Sequence, residues 1–231
     1  MPATFAHMCM VRFASKQCRM SSLAAAAIGF NPEYVELGSI GPDYPYLSAG
    51  LPGGEDHKRW ADKMHYEGTG DIIRAGINFL QQMPDKTPDG NFGKQLAWLM
   101  GYAAHVIGDV TIHPVVEGIV GPYNGNETAH RICELNQDAF IFSKLNLGEI
   151  CEVEFVDSGI KRCQDLNNTV IPLWEYMVQQ THPLEYSNKP PQFGEWHREY
   201  CFLIDHFAEE SNRLMILARF LRGYVFPKSS D

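Results

Sequence analysis

Apolar residues recur at helical spacing along most of the chain, and strand-like alternation is nearly absent. The pattern predicts helices over residues 4–16, 24–30, 55–67, 71–83, 91–116, 127–145, 158–180 and 193–224. Core candidates are Phe5, Met8 and Val11 in the first, Ile72, Ile73, Ile77, Phe79 and Leu80 in the fourth, and Ile171, Leu173, Trp174 and Met177 in the seventh. Tyr200, Leu203, Phe207, Leu214 and Leu217 play that part in the last. Residues 31–54, rich in proline and glycine, read as a loop. The Gly68-Thr69-Gly70 run breaks one helical stretch from the next. Pro114 removes a backbone donor, so the longest helix is expected to kink or end there. The expectation is an all-α protein, one compact multi-helix domain over residues 1–231.

One stretch of this pattern carries chemistry. The helix from Asn91 is most apolar between Leu96 and Ile107, yet His105, Asp109 and His113 follow one another at four-residue steps. On an α-helix that step stacks the three side chains on one face. An unpaired carboxylate in so apolar a helix is costly, and coordination satisfies it. A buried Asp–His hydrogen-bonded pair is the plainer alternative. His130 and Glu134 repeat the step on the following helix, with Asp138 at the same spacing beyond. Imidazole and carboxylate together suit zinc or a similar divalent ion, so two such helices facing each other predict a multinuclear metal site in a cleft.

Charge and composition narrow the function classes. The net charge of −9 argues against a general nucleic-acid binder, which carries a basic face. It leaves phosphoester substrates open, because bound metal ions reverse the field locally. No uninterrupted apolar run reaches the roughly 20 residues of a membrane span, so no transmembrane segment is expected. The six cysteines have no CxxC pair and read as reduced, mostly buried thiols. The charged residues before Ser21–Phe30 resemble the start of an export signal, but cleavage there would discard His7. A cytoplasmic protein is therefore expected, with secretion as the alternative. His57 lies in the charged run EDHKRWADK and reads as part of a solvated face; His182, His197 and His206 have no partner at ligand spacing and read as structural.

The segments LGSIGPDYPY, MHYEGTGDI, GYAAHVIGDVTIHP and AHRICELNQD, with His7 near the start, resemble the zinc-dependent phospholipase C family. This family includes bacterial phosphatidylcholine-hydrolysing phospholipases C, and S1/P1-type nucleases share its fold. The short Asp109–His113 step is more similar to the branch containing glycosylphosphatidylinositol-specific phospholipase D. The resemblance spans roughly residues 1–140. It implies two or three zinc ions in a cleft between helices. Asp43, His65, His105 and Asp109 would hold one, and His113, His130 and Glu134 a second. The third would fall to His7 and a bridging Asp109. His7, Asp43 and His65 enter the ligand set through the resemblance alone. The secreted enzymes complete the third site with an N-terminal tryptophan, whereas the first tryptophan here is Trp60; the Pro2 amine is the candidate substitute.

The activity so implied is metal-dependent hydrolysis of a phosphodiester or phospholipid by zinc-activated water, with Asp43 as candidate catalytic residue orienting or deprotonating that water. Tyr44, Tyr46 and Tyr66, beside proposed ligands, are candidate substrate-binding residues. Competing readings are an S1/P1-type nuclease and a non-catalytic domain braced by metals that binds a lipid or protein partner. A di-iron carboxylate bundle lacks its ExxH pairs here, and a histidine–aspartate phosphohydrolase lacks its adjacent His-Asp pair.

Overall fold

The computed structural model describes residues 4–17, 19–48, 54–144 and 160–207. Its helices are α1 (Thr4–Gln17), α2 (Ser22–Phe30), α3 (Pro32–Ile40), α4 (Tyr44–Leu47), α5 (Gly54–Tyr66), α6 (Thr69–Gln82), α7 (Asn91–Val120), α8 (Glu127–Lys144), α9 (Val170–Thr181), α10 (Pro183–Asn188) and α11 (Phe193–Phe207). Short 3₁₀ turns cover Gly41–Asp43 and Leu166–Asn168. Among the described residues there is no strand, and the helices form one all-α domain.

The expected loop over residues 31–54 is the largest departure from the pattern. Its first half is helix α3, started by Pro32 at its first position, where a missing N–H costs nothing. Seven consecutive residues, Tyr34 to Ile40, are buried, so this helix has no polar face for a periodicity to reveal. What buries it is a glycine-lined crossing with α7. A Cβ on Gly38 would stand 2.0 Å from the Trp98 carbonyl oxygen, and one on Gly101 would stand 2.1 Å from that of Val35. The two backbones touch at both places.

Around this crossing sits an aromatic core. Trp98 and Trp174 lie 4.9 Å apart between ring centroids, and Phe193 stacks on Trp174 at 4.2 Å. Tyr44 is 1% exposed, packed against Trp174, Tyr200 and His197. Its hydroxyl is hydrogen-bonded with His197 Nδ1 at 3.2 Å. The expected core residues Ile72, Leu80, Leu173, Trp174, Met177 and Tyr200 are buried, whereas Ile77 points outward and is 45% exposed. His57, expected on a solvated face, turns inward and accepts from Trp196 Nε1 at 2.7 Å. Lys58 and Arg59 beside it are exposed, so one face of α5 is solvated and the other is core.

Helix α7 runs through Pro114 without ending. Pro114 is exposed, as is Val110 one turn before, so the carbonyl that loses its partner faces water. By length and composition α7 is also long and apolar enough to cross a membrane. Here it carries His105 and Asp109 and packs along α3. Gly121, at φ +92°, terminates it, and Gly68, at φ +64°, separates α5 from α6 as the Gly-Thr-Gly run predicts. Cys9, Cys133, Cys163 and Cys201 are free thiols. Cys18, Cys151, the Pro2 amine, Leu214, Leu217 and the side chains of Phe5, Leu203, His206 and Phe207 lie outside the described residues.

Two outcomes test this packing. Gly101→Ala gains helix propensity yet must force α3 and α7 apart, and is expected to lose about 1–3 kcal/mol by chemical denaturation. Gly118→Ala, on the same helix with open space around it, is expected to gain up to about 1 kcal/mol. A gain at both positions would contradict the crossing. Burial lowers the pKa of His197 to about 4, so the folded state binds fewer protons there than the unfolded chain. Its contribution is complete above pH 6.5 and is lost as pH falls toward 4. His197→Gln should flatten the stability profile across that window; an unchanged profile would contradict it.

Candidate metal centre

Four segments deliver the polar residues the crossing encloses. His105 comes from the middle of α7 and is fully buried. Its Nδ1 stands 2.8 Å from the carbonyl of Ser39 on α3. A carbonyl only accepts, so Nδ1 carries the hydrogen and Nε2 is left with a lone pair. His65, at the end of α5, repeats the arrangement: its Nδ1 donates to the Ala61 carbonyl one turn back at 2.7 Å. The two bare Nε2 atoms face each other at 3.1 Å.

Two carboxylates close the same space. Asp43, in the 3₁₀ turn that follows α3, puts Oδ1 3.3 Å from His65 Nε2 and 4.0 Å from His105 Nε2. Asp109, one turn after His105, puts Oδ2 at 3.4 Å and 3.6 Å from the Nε2 atoms of His105 and His65. Neutral imidazoles and ionised carboxylates leave this space with acceptors only. It requires a positive charge. A proton on His105 is one way to supply it, since burial pushes the His105 pKa down but Asp43 and Asp109 more than reverse it; a divalent ion is the other. Burial pushes Asp109 up, and the attraction of the neighbouring His105 and His7 rings holds it far below the usual carboxylate range.

His7 completes a second group. Its ring stacks on His105 with centroids 3.8 Å apart, and its Nε2 lies 3.3 Å from Asp109 Oδ1, outside hydrogen-bond geometry. Neither ring nitrogen has a hydrogen-bond partner, and burial with the neighbouring His105 lowers the pKa to about 4. Asp138 on α8 holds this end of α1 by accepting from the Ala6 backbone N–H at 2.8 Å. Among the described residues, donor atoms gather within 4.8 Å in two groups, His7–His105–Asp109 and Asp43–His65–His105. His105 is common to both, where the resemblance implied that Asp109 would be shared.

The remaining predicted ligands sit around this nucleus without closing on it. His113 Nε2 is 3.9 Å from Asp109 Oδ1 and has no hydrogen-bond partner. His130 donates from Nε2 to the Gly121 carbonyl at 2.7 Å, leaving a buried, unpartnered Nδ1. Glu134 is buried, which raises its pKa. The three do not draw together as tightly as the first two groups. Of the three tyrosines, Tyr44 is core, and the Tyr46 ring is tilted against His65, centroids 5.3 Å apart, with its hydroxyl donated to Asp62 at 2.7 Å. Only Tyr66 is open to solvent, 62% exposed beside His65. The Ser39, Ala61 and Gly121 carbonyls have no counterpart among the predicted site residues, since backbone groups leave no residue signature.

Buried imidazoles with one nitrogen anchored on a carbonyl and the other presented to carboxylates form a donor set suited to zinc. An all-helical domain with such a centre defines a class of metal-dependent hydrolases. The family model for zinc-dependent phospholipase C matches residues 2–208, and the chain belongs to that family. No curated protein and no solved structure matches it.

Zinc at 100 times its dissociation constant is expected to stabilise the protein by about 2.7 kcal/mol. Asp109→Asn keeps the shape but removes the carboxylate charge that faces His7, His65 and His105, and should abolish most of the accompanying thermal shift. An equal shift in the variant would place the metal elsewhere.

Proposed function

We propose that the protein hydrolyses phospholipid phosphodiesters at a centre built on His7, Asp43, His65, His105 and Asp109, extended by His113, His130 and Glu134. The observation that supports this most is the pair of Nε2 atoms 3.1 Å apart with two carboxylates beside them. Such an arrangement calls for a positive charge at its centre, a proton or a divalent ion. Zinc, when bound, supplies Lewis acidity, lowering the pKa of water toward ~7 and neutralising phosphate oxygens. The family and the two donor groups support zinc as the metal. His105, with one free lone pair, would serve a single ion, whereas Asp109, with Oδ1 toward His7 and Oδ2 toward His105 and His65, would be the residue able to serve two.

The protein's own residues divide the work. The Ser39 and Ala61 carbonyls fix the tautomers of His105 and His65, so both rings arrive with the correct lone pair. Asp43 is held in a rigid turn rather than a mobile loop, and its pKa is lowered: burial opposes this, but His105 and His65 outweigh it. A carboxylate so acidic is a weak proton acceptor, so its role is to bind the metal and orient water. Tyr66 is the tyrosine exposed to an incoming substrate.

His130→Ala is expected to lower turnover of phosphatidylcholine by more than the ~10–100-fold that losing a ligand's hydrogen-bond partner costs, with helical content unchanged. Undiminished turnover would rule out this role. Parallel assays with single-stranded DNA separate phospholipase from nuclease. Stoichiometric zinc with no turnover of any phosphoester would instead favour the non-catalytic binding domain.

A further inference from the structure

A cavity of about 360 Å³ opens between α1, α7 and α8, and His7 forms part of its wall. The other lining residues include Ala6, Met10, Phe13, Ile112, Phe140 and Ile141, all apolar. Phe13 and Phe140 are each more than half exposed and mark its open side. Lys144 also lines it, with its ammonium 5.3 Å from the Phe140 ring centroid. This is the one cation of the lining in a chain whose net charge is −9.

The cavity adjoins the metal centre through a single side chain. Gly108 makes this possible, since a Cβ there would stand 2.7 Å from Met10 Cε and 3.4 Å from the His7 ring. His7 therefore presents Nε2 to Asp109 while it lines the apolar space. A nucleoside or sugar buried there would lose its hydration and find few partners. The volume lies at the low end of the roughly 300–1,000 Å³ of small-molecule sites, enough for one slender apolar group.

We propose that this cavity is the acyl-chain subsite of the enzyme, taking one hydrocarbon chain of a phospholipid whose phosphate lies at the metal centre. The inference rests on the phosphodiesterase reading above. His7 borders both the cavity and the centre, so a chain in the one and a phosphate at the other would meet at that side chain. Lys144 at the cavity fits the anionic surface from which such a lipid comes.

The test is calorimetric titration of the full chain, with and without zinc, by alkylphosphocholines of four to ten carbons below their micellar concentrations. Affinity is expected to rise by up to about fourfold per methylene, the ~0.8 kcal/mol of burying a CH₂. The heat-capacity change on binding should be negative. Ile141→Trp and Met10→Trp, filling the cavity from two helices, should flatten this dependence. An analogue with a diazirine at the chain end should label residues 6–13 and 140–144 in the unaltered protein, which covers the case of variants that fail to fold. Affinity independent of chain length, an equal slope in folded filled variants, or labelling elsewhere would overturn the proposal. A persistent slope with no phosphodiester turnover would instead remove the catalytic reading and leave the cavity's role intact.

Discussion

The contact between α3 and α7 is the constraint on which the rest of the molecule depends. Two glycines, Gly38 and Gly101, let the backbones meet where any Cβ would collide with a carbonyl. That approach brings the Ser39 carbonyl onto His105 Nδ1 and sets Asp43, three residues beyond α3, against the same ring. The close packing of two apolar helices thus decides a tautomer. The tautomer decides which nitrogen faces the carboxylates. A fold-level contact becomes a statement about coordination chemistry in two steps.

The all-α architecture was legible because helical periodicity spans most of the chain. Where it failed, the failure has a cause. Helix α3 is buried from Tyr34 to Ile40, so its sequence shows no amphipathic stripe, and its proline and glycine look like loop residues. Pro114 predicts a kink or an end; the helix does not end there but runs on to Val120, and the exposed position makes the lost hydrogen bond inexpensive. His57 sits in a charged run but faces Trp196, because a helix in such a run still has an inner face.

The site was legible in proportion to how local it is. His105 and Asp109 lie one helical turn apart and were readable from spacing. His7, Asp43 and His65 come from separate segments, joined to that pair only by the tertiary fold, and the family resemblance was the sole pointer to them. His113, His130 and Glu134 share the spacing logic, yet the structure leaves them looser than the first two groups. Tyr44 follows Asp43 in sequence but faces the opposite way, into the aromatic core. Adjacency along a chain says little about direction once a short helix intervenes.

The account's central claim is that a divalent ion belongs between the Nε2 atoms of His65 and His105 and the carboxylates of Asp43 and Asp109. Anomalous diffraction from zinc-loaded crystals, recorded on both sides of the zinc absorption edge, measures this directly. The account predicts a peak about 2.0–2.1 Å from those nitrogens, the usual zinc–imidazole distance. A saturated protein with no peak there, or with its zinc on surface histidines and a proton shared between the two rings, would contradict it.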